Sequence, residues 1–574
     1  MMNKVAVASV SLILVVGIVI GCVIGFGHHS TGHKEEVKNE ITPGMKAVET
    51  LCAPTDYKDA CVKSLTPLAN NGTTEPKELL KGAIQVIAAE VQKAVEQSVA
   101  LANDAKIVNN NATLKGALES CKGYLDYAIS DIEESITALG ESEITNINDV
   151  TPELQNWLSA VISLKESCLD NLDDNPELKE TMNKGLLNTT ELTVNALAIV
   201  DQIAGILKTF NMPSDLNVTS SSTSRKLLST DEDGFPHWFS DESRRVLAAQ
   251  GFGALKPNAV VAKDGSGQFK TIADALAAYP KNQPKSAKYV VYVKAGIYDE
   301  WITVQKEQHN VFMYGDGPTK TIVTGKKNVA LDGYKTDKSA TFAVEGRHFI
   351  GKSMGFENTA GPEGHQAVAL RVNSDRSAFF DCNINAYQDT LYIQSHRQFY
   401  TNCVISGTVD FIFGDSATII QNSKIIVRKP LDNQFNAVTA HGRSQARETT
   451  GVVIHNCDII AEPQLLPVSS KIESFLGRPW KEYSKAIFME NRIDGFIHPD
   501  GYTPWKGTFA LDTLDYGEYA NTGAGADTSK RVNWKGFHVI TNRAEALQYT
   551  VSRFNQAPRW LKETGIAYMP GLKA

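Results

Sequence analysis

Two acidic side chains stand where acids are uncommon. In Asn383–Gly414, NINAYQDTLYIQSHRQFYTNCVISGTVDFIFG, Asp389 and Asp410 are 21 residues apart, each among aromatic and aliphatic residues of strong strand preference. Burying a carboxylate without a partner is costly, so a pair in such surroundings calls for a reason. Two acids brought close together titrate as a unit, one ionising readily while the other keeps its proton. That division supplies a nucleophile or base on one side and a general acid on the other. The plainer alternative is a solvated ladder of acids or a structural ion-pair network. Neighbouring residue types favour chemistry. Arg478 in LGRPW is a counter-charge, and Trp480 beside it is a plate on which a sugar ring can stack. Gln366 and Gln388 carry the amide N–H donors that an oxyanion requires. On the residues alone, the first choice is a carbohydrate-active site.

The elements that must position these side chains are short strands in a coil. From about residue 256, β-rich runs recur between Gly, Asn and Asp residues: FFDCNI at 379, FYTNCVI at 399, IIQNSKI at 419, VIHNCDI at 453 and FMENRI at 488. Their aligned polar positions are Asp381, Asn402, Asn422, Asn456 and Asn491, spaced by 21, 20, 34 and 35. A repeat near 20 with variable insertions predicts a solenoid whose coils differ only in their loops. A parallel β-helix fits, and a leucine-rich repeat does not, because its leucine and helix pattern is missing. Neighbouring parallel strands lie about 4.8 Å apart. Residues one coil apart therefore sit nearly above one another, which predicts that Asp389 and Asp410 are close.

The chain of 574 residues is too long for one domain, and the first half follows another period. Between about residues 45 and 210 apolar residues recur every three to four positions, as in Ile84, Ile87, Val91, Val95 and Val99. Four or so amphipathic helices with short polar connections predict an antiparallel bundle. It holds Cys52, Cys61, Cys121 and Cys168, for which three pairings are open. Ahead of it, Val5–Phe26 is an uncharged apolar run of 22 residues, read as a signal anchor or a long signal peptide. The sequons at Asn71, Asn111, Asn188 and Asn217 agree with a secretory route. Residues 211–255 form a Ser-, Thr-, Asp- and Pro-containing linker with dibasic pairs at Arg225-Lys226 and Arg244-Arg245, read as processing sites. The net charge of −8 and the lack of a basic stripe speak against a nucleic-acid binder.

The motifs GIYDE at 296, HQAVALR at 365, YQDTLY at 387, DFIFG at 410 and LGRPW at 476 stand in the order found in plant pectin methylesterases, which residues 256 to 560 closely resemble. The four-cysteine helical half resembles the plant invertase/pectin methylesterase inhibitor domain, so the whole is similar to a precursor of the longer pectin methylesterases. The expected architecture is an N-terminal all-α four-helix bundle and a C-terminal all-β right-handed parallel β-helix. The expected boundaries are 1–44 for the apolar segment and spacer, 45–210 for the inhibitor-like pro-region, 211–255 for the linker and 256–574 for the catalytic domain. The resemblance implies Asp410 as nucleophile on the C6 methyl ester of a galacturonate unit and Asp389 as proton donor, then base. It implies Gln388 and Gln366 as oxyanion-stabilising amides, Arg478 as the guanidinium that orients the nucleophile and keeps it ionised, and Thr336, Gln366, Arg478 and Trp480 as substrate contacts. It also implies Cys52–Cys61 and Cys121–Cys168 bridges, and no metal or organic cofactor. The partners implied are methyl-esterified homogalacturonan, a processing protease of the secretory pathway and inhibitor proteins, with the cell wall as destination.

One departure concerns the coil interior. Where the family often has a cysteine this chain has Ser423, leaving Cys382, Cys403 and Cys457 at equivalent positions. Adjacent coils allow a Cys382–Cys403 bridge. Two rival functions stay open at this level: a pectin-cleaving β-helix lyase or hydrolase, and a non-catalytic inhibitor or wall-binding protein.

Overall fold

The computed structural model describes residues 41–108, 111–143, 146–210, 256–282, 284 and 287–573. The apolar N-terminal run, both dibasic pairs and Asn217 lie outside these residues. The chain divides into two compact units, Met1–Val218 and Thr219–Ala574.

The first unit is helical because its apolar residues repeat at the helical period, and three of its helix starts are capped by side chains. Thr42, Asn111 and Asn175 each accept a hydrogen bond from a first-turn N–H at the head of Pro43–Cys52, Ala112–Glu141 and Pro176–Thr209. Two short helices, Pro43–Cys52 and Lys58–Asn70, precede four long ones: Pro76–Asn103, Ala112–Glu141, Ile147–Asp170 and Pro176–Thr209. Ile84, Ile87, Val91 and Val95 are buried on one face, while Val99 is half-buried and Ser98 turns inward to donate to the carbonyl of Leu118. Pro176–Thr209 is long and apolar enough to cross a membrane, but 72 % of its most apolar stretch is buried in this bundle. Cys52–Cys61 closes the short hairpin, and Cys121–Cys168 ties two long helices together. Of the sequons, Asn71 and Asn111 are exposed at helix ends, and Asn188 is exposed midway along Pro176–Thr209.

The second unit is a parallel β-helix. Among the described residues its strands pair only in parallel, in three sheets of 11, 7 and 8 strands. A complete coil contributes one strand to each sheet, and the end coils contribute to fewer, so aligned residues form columns along the axis. Inward columns such as Leu370, Leu391 and Ile412 are fully buried, and aromatic residues stack on their neighbours, as Phe379 does on Tyr400 at 4.9 Å. The outer face of the 11-stranded sheet is apolar and covered by the C-terminal segment through Val551, Trp560, Leu561 and Leu572. The outer face of the seven-stranded sheet carries the smaller cluster of Ala340, Val368, Tyr392, Phe413 and Ala440.

Two expectations need correction here. The polar corner is a left-handed turn, occupied by Asp381, Asn402, Asn422 and Asn456 at φ 52–54°, but in the last of these coils by Glu490 at φ 54° rather than Asn491. His455 pairs with Met489, so Asn456 aligns with Glu490 and both long coils span 34 residues. Asn491 falls in the inward column of Cys382, Cys403, Ser423 and Cys457, where it accepts from Cys457 N and donates to the Ile454 carbonyl. Second, Cys382 and Cys403 are buried free thiols, as is Cys457. Aligned side chains on parallel strands point the same way and stay about 4.8 Å apart, wider than the Cβ separation of about 3.5–4.5 Å that a disulfide spans. Each thiol instead faces backbone carbonyls: Phe380 for Cys382, Thr401 for Cys403 and His455 for Cys457.

Candidate active site

The two aspartates occupy the same column. Asp389 N donates to Val409 O at 3.1 Å and Leu391 N to Phe411 O at 2.8 Å, the pattern that sets Asp389 beside Asp410 in adjacent coils. Each lies two residues ahead of a strand of the seven-stranded sheet, Leu391–Ser395 and Ile412–Gly414. Both have left-handed backbones, with φ 61° at Asp389 and 51° at Asp410. Aspartate is among the few non-glycine residues that enter this region readily. The turn breaks the in–out alternation that would otherwise fix where each side chain points.

Arg478 follows the strand Ser474–Gly477, two coils beyond Asp410, and reaches back to it. Its Nε donates to Asp410 Oδ1 at 2.7 Å and its Nη2 to Oδ2 at 2.5 Å, a two-pronged pair. The guanidinium is flanked by Trp505 at 4.2 Å and Phe435 at 5.0 Å. Both carboxylates are buried, and their surroundings separate them. Burial pushes the Asp389 carboxyl well above the ordinary range, and the Asp410 charge adds to this; Arg478 opposes it only through space. Burial also raises Asp410, but there the hydrogen bonds and charge of Arg478 pull back. Asp410 is thus equipped to carry the charge and Asp389 to hold a proton. Among the described residues, the Asp389 carboxyl has no hydrogen-bond donor of its own.

Gln366 and Gln388 pair with each other as neighbouring backbone positions just ahead of this column. Both are half-buried, and among the described residues their side-chain amides have no protein partner. Two unengaged amides beside two carboxyls leave donors available to an incoming oxygen.

Residues 258–558 match the family Pectinesterase, more than half of the chain. The chain belongs to the pectinesterase family. Residues 46–199 match the family Plant invertase/pectin methylesterase inhibitor, so this pectinesterase carries an inhibitor-like unit ahead of its enzyme unit. It is 43 % identical over 564 residues to "Probable pectinesterase/pectinesterase inhibitor 23" of Arabidopsis thaliana, covering 98 % of this chain and 97 % of the relative. It is 39 % identical over 549 residues to "Pectinesterase 1" of Citrus sinensis, covering 94 % and 91 %. Among solved structures, "Pectin methylesterase from Carrot" superimposes with a TM-score of 0.54 at 51 % identity, covering 55 % of this chain and 99 % of that one.

The remaining sequence-derived residues of the pectinesterase site fall nearby to different degrees. Trp480 is half-buried and packs edge-on against Phe413 at 5.9 Å, while Phe413 stacks on Tyr392 at 4.4 Å. Thr336 opens a short 3-10 turn whose Ser339 hydroxyl bonds Val368 N at 3.1 Å. That anchors the turn in the neighbouring coil, and no side-chain hydrogen bond joins Thr336 to either aspartate among the described residues. Sequence reading missed Phe435 and Trp505, which lie in loops with no periodicity to mark them. It also missed Arg428, which covers the Tyr387 ring at 3.9 Å and donates to the Ala386 carbonyl at 2.9 Å, fixing the backbone just ahead of Gln388 and Asp389.

Proposed function

We propose that this pectinesterase hydrolyses the C6 methyl esters of homogalacturonan to pectate and methanol through an aspartyl acyl intermediate. The observation that carries the reading is the unequal pair: Asp410 gripped by Arg478, and Asp389 one coil away without a donor among the described residues. Ionised Asp410 attacks the ester carbonyl carbon, and the amides of Gln366 and Gln388 receive the developing oxyanion. Collapse expels the methoxy group, which takes the Asp389 proton and leaves as methanol. Asp389, now a carboxylate, removes a proton from water. The resulting hydroxide attacks the acyl carbon, freeing ionised Asp410 and the galacturonic acid unit, which loses its proton to solvent, and leaving Asp389 protonated for the next turn. Arg478 keeps the nucleophile ionised and oriented. Trp480 and Thr336 contact the polysaccharide, Trp480 as an extension of the Tyr392–Phe413 aromatic face.

The same reading makes the full chain a secreted, glycosylated precursor bound for the cell wall, entering the pathway by its apolar N-terminus. The inhibitor-like bundle silences the enzyme until a protease cuts at Arg225-Lys226 or Arg244-Arg245; an uncleaved precursor with full activity excludes that role. The deciding experiment is methanol release from methylated pectin by residues 256–574 and by its Asp410→Ala variant. Turnover is expected only from the parent, with the fold retained in both. Full activity in Asp410→Ala defeats the nucleophile assignment, and unsaturated or new reducing ends in the product would favour a lyase or a chain-cutting hydrolase.

A further inference from the structure

A lysine outside the aspartate site is held in an unusual setting. Lys327 is half-buried, and among the described residues its ammonium has neither a carboxylate partner nor a hydrogen-bond acceptor. It sits between two rings, 4.5 Å from the Trp301 centroid and 4.9 Å from that of Tyr334. Both aromatics are open to solvent, Trp301 at 47 % and Tyr334 at 38 %.

The cluster is built onto the same seven-stranded sheet whose strands follow Asp389 and Asp410. Trp301 precedes Ile302–Val304, the terminal strand of the seven-stranded sheet. Its indole Nε1 lies 3.0 Å from where a Cβ on Gly325 would stand, so the ring rests directly on that backbone. Buried Asn358 donates to the carbonyls of Lys327 at 2.9 Å, Ser339 at 3.2 Å and Val368 at 3.2 Å. Val329 N donates to the carbonyl of Gln366 at 3.0 Å. These bonds tie the Lys327 segment to the segment that carries Gln366. The Trp301 coil is three coils from that of Asp389 along the sheet, or about 14 Å at the usual strand spacing.

A cation held between aromatic faces without a counter-ion is a site for an anion, and two exposed rings suit the flat apolar face of a pyranose. A uronate sugar satisfies both features, whereas its methyl ester satisfies the rings alone. We propose that Trp301, Lys327 and Tyr334 form a distal subsite for an unesterified uronate residue of the same polysaccharide chain whose ester lies at Asp410. Each hydrolysed ester can then become an anchor for a later one, so a partly de-esterified chain is the better substrate.

This inference rests on the polyuronate esterase reading, and its test separates the two. The enzyme unit can be used alone, because the carrot structure matches this unit over 99 % of its length. Residues 256–574 and the variants Lys327→Gln, Lys327→Arg and Trp301→Ala are titrated calorimetrically with fully unesterified oligogalacturonate at low and high salt. Methanol release is then compared on fully and partly esterified oligomers. Lys327→Gln should weaken oligogalacturonate binding about fivefold and cut the kcat/KM preference for partly esterified oligomers by a similar factor. Lys327→Arg should restore most of both, and Trp301→Ala should weaken binding at both salt levels. Unchanged affinity and preference in Lys327→Gln and Trp301→Ala overturn the subsite while leaving the esterase reading intact. Lys327-dependent binding without methanol release from the parent upholds the subsite and overturns the esterase reading.

Discussion

Replacing Arg478 by leucine tests the electrostatic division of labour directly. The Arg478–Asp410 pair has little solvent around it, with side-chain exposures of 17 % and 8 %, so screening offers small relief. Two hydrogen bonds, at 2.7 and 2.5 Å, are lost together. A hydrogen bond to a charged group contributes about 1.5–3 kcal/mol. Taking about 3 kcal/mol for the pair, which is not additive, and 1.36 kcal/mol per tenfold change, the ionised form of Asp410 is disfavoured on the order of a hundredfold. Buried Asp410 escapes an unpaired charge by taking up a proton, so the fold survives and activity is lost instead. The loss is largest on the acid side. Asp410 must be ionised to attack, and its protonation now persists to higher pH, so the acid limb of the kcat/KM profile moves upward. Asp389 moves in the same direction, because Arg478 also restrains it, and the alkaline limb follows. Arg478→Lys keeps the charge but not the fork and should shift the profile less. The assay is methanol release by residues 256–574 across pH, with thermal melting as a control for folding. A pH-independent loss with both limbs unmoved refutes the argument and leaves Arg478 as a substrate contact only.

Other consequences follow from the same geometry. Asp389 has a folded-state pKa raised well above its unfolded value, so the folded chain binds the proton more tightly and stability falls as pH rises from about 3.9 through that raised value. Asp389→Asn should therefore abolish turnover yet stabilise the enzyme unit at neutral pH by about 1–3 kcal/mol, with the gain vanishing towards pH 3 in denaturant titrations; a pH-independent difference counts against the buried acid. Gln388→Ala and Gln366→Ala should each lower kcat by about 10²–10³-fold with little change in KM, the signature of donors used in the transition state; a KM effect alone would make them binding residues. In the bundle, the Cys121–Cys168 bridge closes a loop of sequence separation 47. Replacing both cysteines by serine should cost about 4 kcal/mol by loop-closure entropy; an unchanged urea midpoint would show that bundle packing alone holds those helices.

How far the sequence reached depended on whether a feature repeats. The 3.6-residue spacing of Ile84, Ile87, Val91 and Val95 is local, and the buried face follows from it. In coils of constant length, the interval between Asp389 and Asp410 sets their shared column, because parallel pairing converts sequence spacing into height along the axis. Of the two 34-residue coils the first keeps asparagine at its corner, and the second puts Glu490 there, where residue type points instead to Asn491. The proposed Cys382–Cys403 bridge failed for a related reason: column neighbours are close, but their side chains run side by side rather than towards one another.

Residue order alone carries the two kinds of domain, the coil repeat and the two aspartates, because periodicity and fixed intervals are local to the chain. The tertiary structure adds the two-pronged geometry of the Arg478 grip on Asp410, 68 residues away, and leaves the Asp389 carboxyl without a donor among the described residues. It also decided that the C-terminal segment covers the 11-stranded sheet, and that Phe435 and Trp505 close around the arginine. Such contacts depend on how irregular loops fold back across several coils, and the packing energy that selects one path among many has no period along the chain.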